Sequence, residues 1–179
     1  MKNDIQEVLY SVEQIESITT KLGSLISADY IDRNPIIVSV LKGSFIFMAD
    51  LVRKVSVPCE IDFMVVSSYG AGTSTSGEVQ IIKDLATSIQ GRDIILVEDI
   101  LDSGVTLSYI TSILEKRGAR SIEICTFLNK PARRKANVHV KYNGFNIEDE
   151  FVVGYGLDYA EKYRNLPYVG ILKPEIYSK

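Results

Sequence analysis

Three carboxylates within five positions, Glu98, Asp99 and Asp102, run directly into Ser103, Gly104 and Thr106. Carboxylates accept hydrogen bonds from sugar hydroxyls and take hard cations. A Ser-Gly-Val-Thr stretch that opens a helix offers backbone N–H groups to an anion. A ligand with hydroxyls at one end and a phosphate at the other, a sugar phosphate, matches that combination.

The elements around this loop must present it. Ile94–Val97 is a continuous apolar run, the signature of a strand buried on both faces. The acids are therefore expected at its carboxyl end, where open α/β sheets bind ligands. Leu107, Ile110, Ile113 and Leu114 give the following segment one apolar helical face, with Gly118 as its stop. Upstream, Ser11 and Gln14 form a capping box, and Ile15, Ile18, Leu22, Leu25 and Ile26 predict a helix over about 12–28. Ile36–Leu41 reads as a strand, and Ser44 opens a helix from Phe45 to about Lys54. Ile61, Phe63 and Val65 alternate with Glu60, Asp62 and Met64 and predict a half-exposed strand through Tyr69. Gly70–Gly77 is polar and too long for a tight turn, which suits a mobile loop tip. Val79, Ile81 and Ile82 resume a strand, and Ile122–Leu128 forms another. The pattern is irregular from Lys130 until Phe151–Tyr155, and Val169–Leu172 closes the apolar content. Strands alternating with helices predict an α/β fold with a mostly parallel central sheet flanked by helices.

With 179 residues, 46% hydrophobic and 24% charged, the chain suits a single domain spanning 1–179. A net charge of −3 gives no electrostatic pull toward nucleic acid. Cys59 and Cys125 fit neither a disulfide framework nor a zinc spacing. The residues after Met1 form no apolar signal, and no apolar run reaches the ~18 residues of a membrane span. A reducing cytoplasm and no membrane contact are the expectations. No P-loop is present, and Gly70-Ala-Gly72 precedes a strand instead of the helix a dinucleotide fingerprint requires. His139, the only histidine, is assigned no chemistry.

Val97-Glu98-Asp99-Ile100-Leu101-Asp102-Ser103-Gly104-Val105-Thr106 closely resembles the phosphoribosyl-diphosphate signature of type I phosphoribosyltransferases. Leu41-Lys42-Gly43-Ser44 resembles the family's pyrophosphate loop, and Ser68-Tyr69 the start of its flexible lid. Asn129-Lys130-Pro131 with Arg133-Arg134 resembles its base-recognition segment. Phe151-Val152-Val153-Gly154-Tyr155-Gly156-Leu157-Asp158-Tyr159 and Tyr163-Arg164-Asn165-Leu166-Pro167-Tyr168 are similar to the closing hood of the 6-oxopurine branch, the short bacterial hypoxanthine–guanine enzymes. Val105 departs mildly from the pattern, since Leu or Lys stands there in other members.

The resemblance implies a type I phosphoribosyltransferase fold with a small hood, built mainly from the C-terminal segment. It implies transfer of phosphoribosyl from phosphoribosyl diphosphate to hypoxanthine or guanine, with Mg²⁺ and release of pyrophosphate. Glu98 and Asp99 would serve the ribose hydroxyls and the metal, with Asp158 as a further metal or base-edge residue. Asp102 would act as general base, although an aspartate there also suits a helix N-cap. Asp102, Ser103, Gly104, Val105 and Thr106 would surround the 5′-phosphate. Lys42, after a cis Leu41–Lys42 peptide, with Gly43 and Arg164, would meet the pyrophosphate. Lys130 would donate to the purine C6 oxygen, Phe151 would stack on the ring, and Val152 would touch its edge. Ser68 and Tyr69 would belong to the lid. The family further implies a homodimer or homotetramer. A xanthine-preferring transferase, and a regulator of this fold that senses phosphoribosyl diphosphate and binds nucleic acid, remain as alternatives.

Overall fold

A computed structural model describes residues 1–68 and 79–178. Its centre is a six-stranded sheet in the order β4-β3-β2-β5-β6-β7, formed by β2 (Ile36–Leu41), β3 (Glu60–Ser68), β4 (Val79–Lys83), β5 (Asp93–Leu101), β6 (Ser121–Asn129) and β7 (Tyr142–Asn146). All neighbours are parallel except the edge pair β3–β4. A separate antiparallel sheet, β1 (Ile5–Tyr10), β9 (Val169–Leu172) and β8 (Val152–Val153), forms the hood. A short α4 (Pro174–Tyr177) follows it.

Strand alternation explains the two helical layers. On β2 and β5, Ile37, Ile95 and Val97 pack with Ile15, Leu22 and Ile26 of α1 (Val12–Asp29) and Phe47, Met48 and Leu51 of α2 (Phe45–Val52). The intervening residues Ile36, Val38, Ile94 and Leu96 pack with Leu107, Ile110 and Leu114 of α3 (Val105–Lys116). β5 is thus buried on both faces, as its composition predicts. The Ser11–Gln14 capping box starts α1, with Ser11 N donating to Gln14 Oε1 at 2.9 Å.

Four expectations need correction. β5 continues through both acids to Leu101, so Glu98 and Asp99 are strand residues and not part of the loop. β3 does not follow simple alternation: Asp62 and Met64 are buried, Phe63 is partly buried against the core and Ile61 is 54% exposed. The Asp62 carboxylate is tolerated inside because it accepts from the N–H groups of Phe63, Ala86 and Thr87. β7 lies in the segment expected to be irregular. The hood also takes its edge strand β1 from the N-terminal segment, paired antiparallel to β9.

Candidate active site

The sheet brings its functional residues to the carboxyl ends of β2, β5 and β6. At the end of β5 the alternation that divides the core also divides the acids. Glu98 follows Ile94 and Leu96 toward the α3 side, and Asp99 follows Ile95 and Val97 toward the α1 and α2 side. Glu98 lines a cleft of about 100 Å³ with Asp102, Ser103, Gly104 and Thr106. Its Oε2 is buried and has no hydrogen-bond partner among the described residues. Burial, and then the neighbouring Asp99 charge, push the Glu98 carboxyl well above its ordinary range.

Asp99 faces the loop that leaves β2. There the Leu41–Lys42 peptide is cis, as the resemblance implies. A Cβ added to Gly43 would lie 1.7 Å from Asp99 Oδ2 and 2.7 Å from its Cγ, so only glycine lets the loop meet this carboxylate. The other oxygen, Oδ1, accepts from Ile100 N at 2.8 Å. Burial raises Asp99 to about 6 against the lowering effect of that hydrogen bond and of the Arg164 charge.

The loop after β5 ends in Gly104, whose φ of +79° suits glycine and which serves as the N-cap of α3. Gly104 has no side chain to cap this helix and Asp102 does not act as the N-cap; Val105 N donates to Ser103 Oγ at 3.4 Å, and the other first-turn N–H groups have no side-chain cap and can serve an anion. Ser103 O accepts from Lys135 N at 2.9 Å and Ala136 N at 3.1 Å, fixing the loop from outside.

Beside β5, the end of β6 supplies Lys130. Its backbone N–H donates to Leu101 O at 2.9 Å, and its Nζ donates to Glu150 O at 2.7 Å and Asp149 Oδ1 at 3.4 Å. The Glu150 contact ties the ammonium to the backbone of the residue that precedes Phe151. The Phe151 ring stacks on Tyr177 at 4.7 Å and meets Tyr159 edge-on, and the residue remains 37% exposed. Val152 is buried in β8.

Arg164 reaches the same region from the hood. Its Nη1 donates to Gly156 O at 2.8 Å and its Nη2 pairs with Asp158 Oδ1 at 2.9 Å. Asp158 Oδ2 accepts from Glu161 N at 2.9 Å, so both Asp158 oxygens are engaged within the hood. Glu98, Asp99 and Asp158 therefore do not converge. Among the described residues no three acids, histidines or cysteines form a group that could hold a metal ion by themselves. Ser68 ends β3, while Tyr69 and the proposed lid tip 70–77 lie outside the described residues. A larger cleft of about 630 Å³, between α1, α2 and residues 155–167, holds none of these expected site residues.

Residues 6–160 match the phosphoribosyl transferase domain family. The chain belongs to the phosphoribosyltransferase family. This phosphoribosyltransferase is 54% identical over 177 residues to the hypoxanthine-guanine phosphoribosyltransferase of Bacillus subtilis, covering 99% of this chain and 98% of that one. It is also similar to the crystal structure of a hypoxanthine phosphoribosyltransferase from Staphylococcus aureus, with a TM-score of 0.97, 53% identity and coverage of 100% and 97%. It is 54% identical to the bifunctional protein TilS/HprT of Listeria innocua, but spans only 28% of that protein's length.

The phosphoribosyltransferase site also contains Arg133 and Asp149, which had no individual role in the sequence reading. Arg133 Nε pairs with Asp102 Oδ1 at 2.8 Å, and its Nη1 pairs with Asp149 Oδ2 at 3.0 Å. A chain of charges thus runs Asp102–Arg133–Asp149–Lys130. Each pair is largely exposed except at Lys130, so solvent screens it and a ligand can displace it. Arg134 donates to Asn129 Oδ1 and packs against Gly104. Asp149, Arg133 and the Glu161–Lys42 contact could not be assigned from spacing, because these partners lie 16 to 119 positions apart.

Proposed function

We infer that this enzyme transfers the 5-phosphoribosyl group of phosphoribosyl diphosphate to hypoxanthine and guanine, giving IMP or GMP and pyrophosphate. The observation that carries this reading is the end-to-end likeness to hypoxanthine-guanine phosphoribosyltransferases. The distribution of charge over the site supports it.

In the reaction, a purine nitrogen forms a bond to the anomeric carbon as the bond from that carbon to the diphosphate oxygen breaks. The electron pair of the broken bond leaves with pyrophosphate, and the purine loses a proton. The uncapped start of α3, with Ser103 and Thr106, binds the 5′-phosphate. Lys42 and Arg164 receive the negative charge of the leaving group, and Arg164 is held in aim by Asp158 and Gly156 O. Glu98 and Asp99 approach the sugar from two sides and favour positive charge as it develops on the ring.

Asp102, displaced from Arg133 by the incoming purine, accepts the proton. Lys130 donates to the C6 oxygen. Its ammonium has no acceptor capacity to offer the amino group of adenine, so adenine is disfavoured. Phe151 provides the stacking face.

Mg²⁺ suits the donors present. Glu98 has a buried, unpartnered oxygen, and magnesium is held by one or two carboxylates plus substrate oxygens and water, not by an all-protein cage. Glu98 would hold it together with substrate oxygens and water, and the ion would neutralise charge on the diphosphate. The protein is assigned to the cytoplasm as a homodimer or homotetramer. Among the described residues no helix is long and apolar enough to cross a membrane.

The deciding assay mixes the enzyme with phosphoribosyl diphosphate, Mg²⁺ and each purine in turn. Hypoxanthine and guanine should be consumed one for one with pyrophosphate release, and adenine should remain. Preferential use of xanthine would move the assignment to a xanthine transferase. Adenine turnover with hypoxanthine and guanine untouched would overturn the role of Lys130.

A further inference from the structure

One carboxylate links the two cations of the pyrophosphate seat. Glu161 Oε1 accepts from Lys42 Nζ at 3.3 Å and from Arg164 Nη2 at 3.4 Å. The same oxygen therefore spans cations from opposite ends of the chain, which is the bridging position an oxygen of pyrophosphate would occupy. The turn that carries it is built tightly. Tyr159 N donates to Lys162 O at 3.2 Å, and Lys162 N donates to Tyr159 O at 3.1 Å. The two residues between them, Ala160 and Glu161, have φ of +52° and +61°. Positive φ at both central positions is the geometry of a type I′ turn, which normally takes Asn and Gly. Backbone held in such a region by residues other than glycine concentrates at functional sites. Asp158 fixes the turn from inside by accepting from Glu161 N at 2.9 Å. The Lys42 contact, and then the charges of Lys42 and Arg164, hold the Glu161 carboxyl below its ordinary range, so it is an anion at neutral pH.

We propose that Glu161 is an internal counter-anion of the pyrophosphate seat, bridging Lys42 and Arg164 when the seat is empty and displaced when a diphosphate enters. The proposal rests on the reading of Lys42 and Arg164 as the leaving-group contacts. It gives Glu161 a role in product release. As pyrophosphate leaves, the carboxylate re-forms the bridge and competes against rebinding. Glu161 is 66% exposed and Lys42 69%, so the bridge is solvated and yields to a ligand carrying several negative charges. Attached to a fixed turn, it returns without diffusing.

The alternative role is scaffolding, in which Glu161 merely holds Lys42 and Arg164 in place. The two roles predict opposite signs. Calorimetric titration of the whole protein with magnesium pyrophosphate should show Glu161→Ala binding about 3- to 10-fold more tightly than wild type, as expected on losing two exposed ion pairs. Glu161→Gln, which keeps the shape and removes the charge, should shift in the same direction. The KM for phosphoribosyl diphosphate and the inhibition constant of pyrophosphate should fall together, while the KM for hypoxanthine stays put. Unchanged or weaker pyrophosphate binding in both variants, with the melting temperature preserved, would overturn the counter-anion role. So would a wild-type protein that binds no pyrophosphate. Failure of the enzymatic assignment would look different, because pyrophosphate would bind while no purine was consumed.

Discussion

Gly43→Ala should disable the enzyme without unfolding it. The added methyl carbon would stand 1.7 Å from Asp99 Oδ2, whereas ordinary contact begins at 3.4 Å, so the carboxylate must retreat by about 1.7 Å. The backbone of Gly43 has no positive φ that alanine would resist. The atoms in conflict belong to a side chain that can rotate, at the cost of the Ile100 N–H bond to Oδ1. Misplacing a reacting or binding group by about 1 Å costs on the order of 100-fold in rate. The variant should therefore lose about 100-fold in kcat/KM for phosphoribosyl diphosphate, or ~2.7 kcal/mol of transition-state stabilisation. Its melting temperature should stay within a few degrees of wild type. Initial rates against phosphoribosyl diphosphate at saturating hypoxanthine, with calorimetry on the same samples, measure both quantities. The double variant Gly43→Ala/Asp99→Ala should be no slower than Asp99→Ala alone, because both changes remove one group. A single variant within threefold of wild type, or additive losses in the double variant, would refute the claim that the glycine exists to seat Asp99.

Three further outcomes follow from the same geometry. Asp102→Asn should bind phosphoribosyl diphosphate normally but lose about 10²- to 10⁴-fold in turnover, the range supplied by a general base; equilibrium binding and single-turnover rates separate the two effects. Asp99 has a folded-state pKa of about 6 against ~3.9 unfolded, so the native state binds the extra proton between those values and stability falls as pH rises through that window. Asp99→Asn without ligand should accordingly melt above wild type at pH 7.5 and lose that advantage near pH 4. Asp93 is fully buried under Arg33, Arg120 and Ser121 at the start of β5, and its carboxyl is held well below the usual range. Because both arginines are partly exposed, Asp93→Asn should cost roughly 2–3 kcal/mol and lower the melting temperature by about 4–12 °C.

What could be read from the sequence depended on how local the cause was. Ile36–Leu41 and Val169–Leu172 coincide with their strands because burial on both sides leaves an almost wholly apolar run, with only Ser39 polar in the first. The Ser11 cap is likewise settled within four residues. The burial of Asp62 in β3 is not legible locally, because its carboxylate is stabilised by N–H groups from a loop more than twenty residues away. β1 carries no fully buried residue and is a strand because of its partner β9, while β7 carries two asparagines and a glycine. At the site, the phosphate loop and the Lys42 and Lys130 segments were recognisable as continuous motifs. The divergence of Glu98 and Asp99 could have been anticipated from strand alternation, once the strand was seen to run through them. The contacts of Arg133 and Asp149, and that of Glu161 with Lys42, depend on tertiary packing alone.

A crystal structure of the enzyme with Mg²⁺, phosphoribosyl diphosphate and an unreactive purine analogue addresses the central claim most directly. The account predicts the 5′-phosphate on the backbone of residues 103–106 at the start of α3, the diphosphate between Lys42 and Arg164, and the purine against Phe151 with its oxygen toward Lys130. A sugar phosphate bound instead in the large cleft between α1 and α2, with the loop after β5 empty, would contradict it.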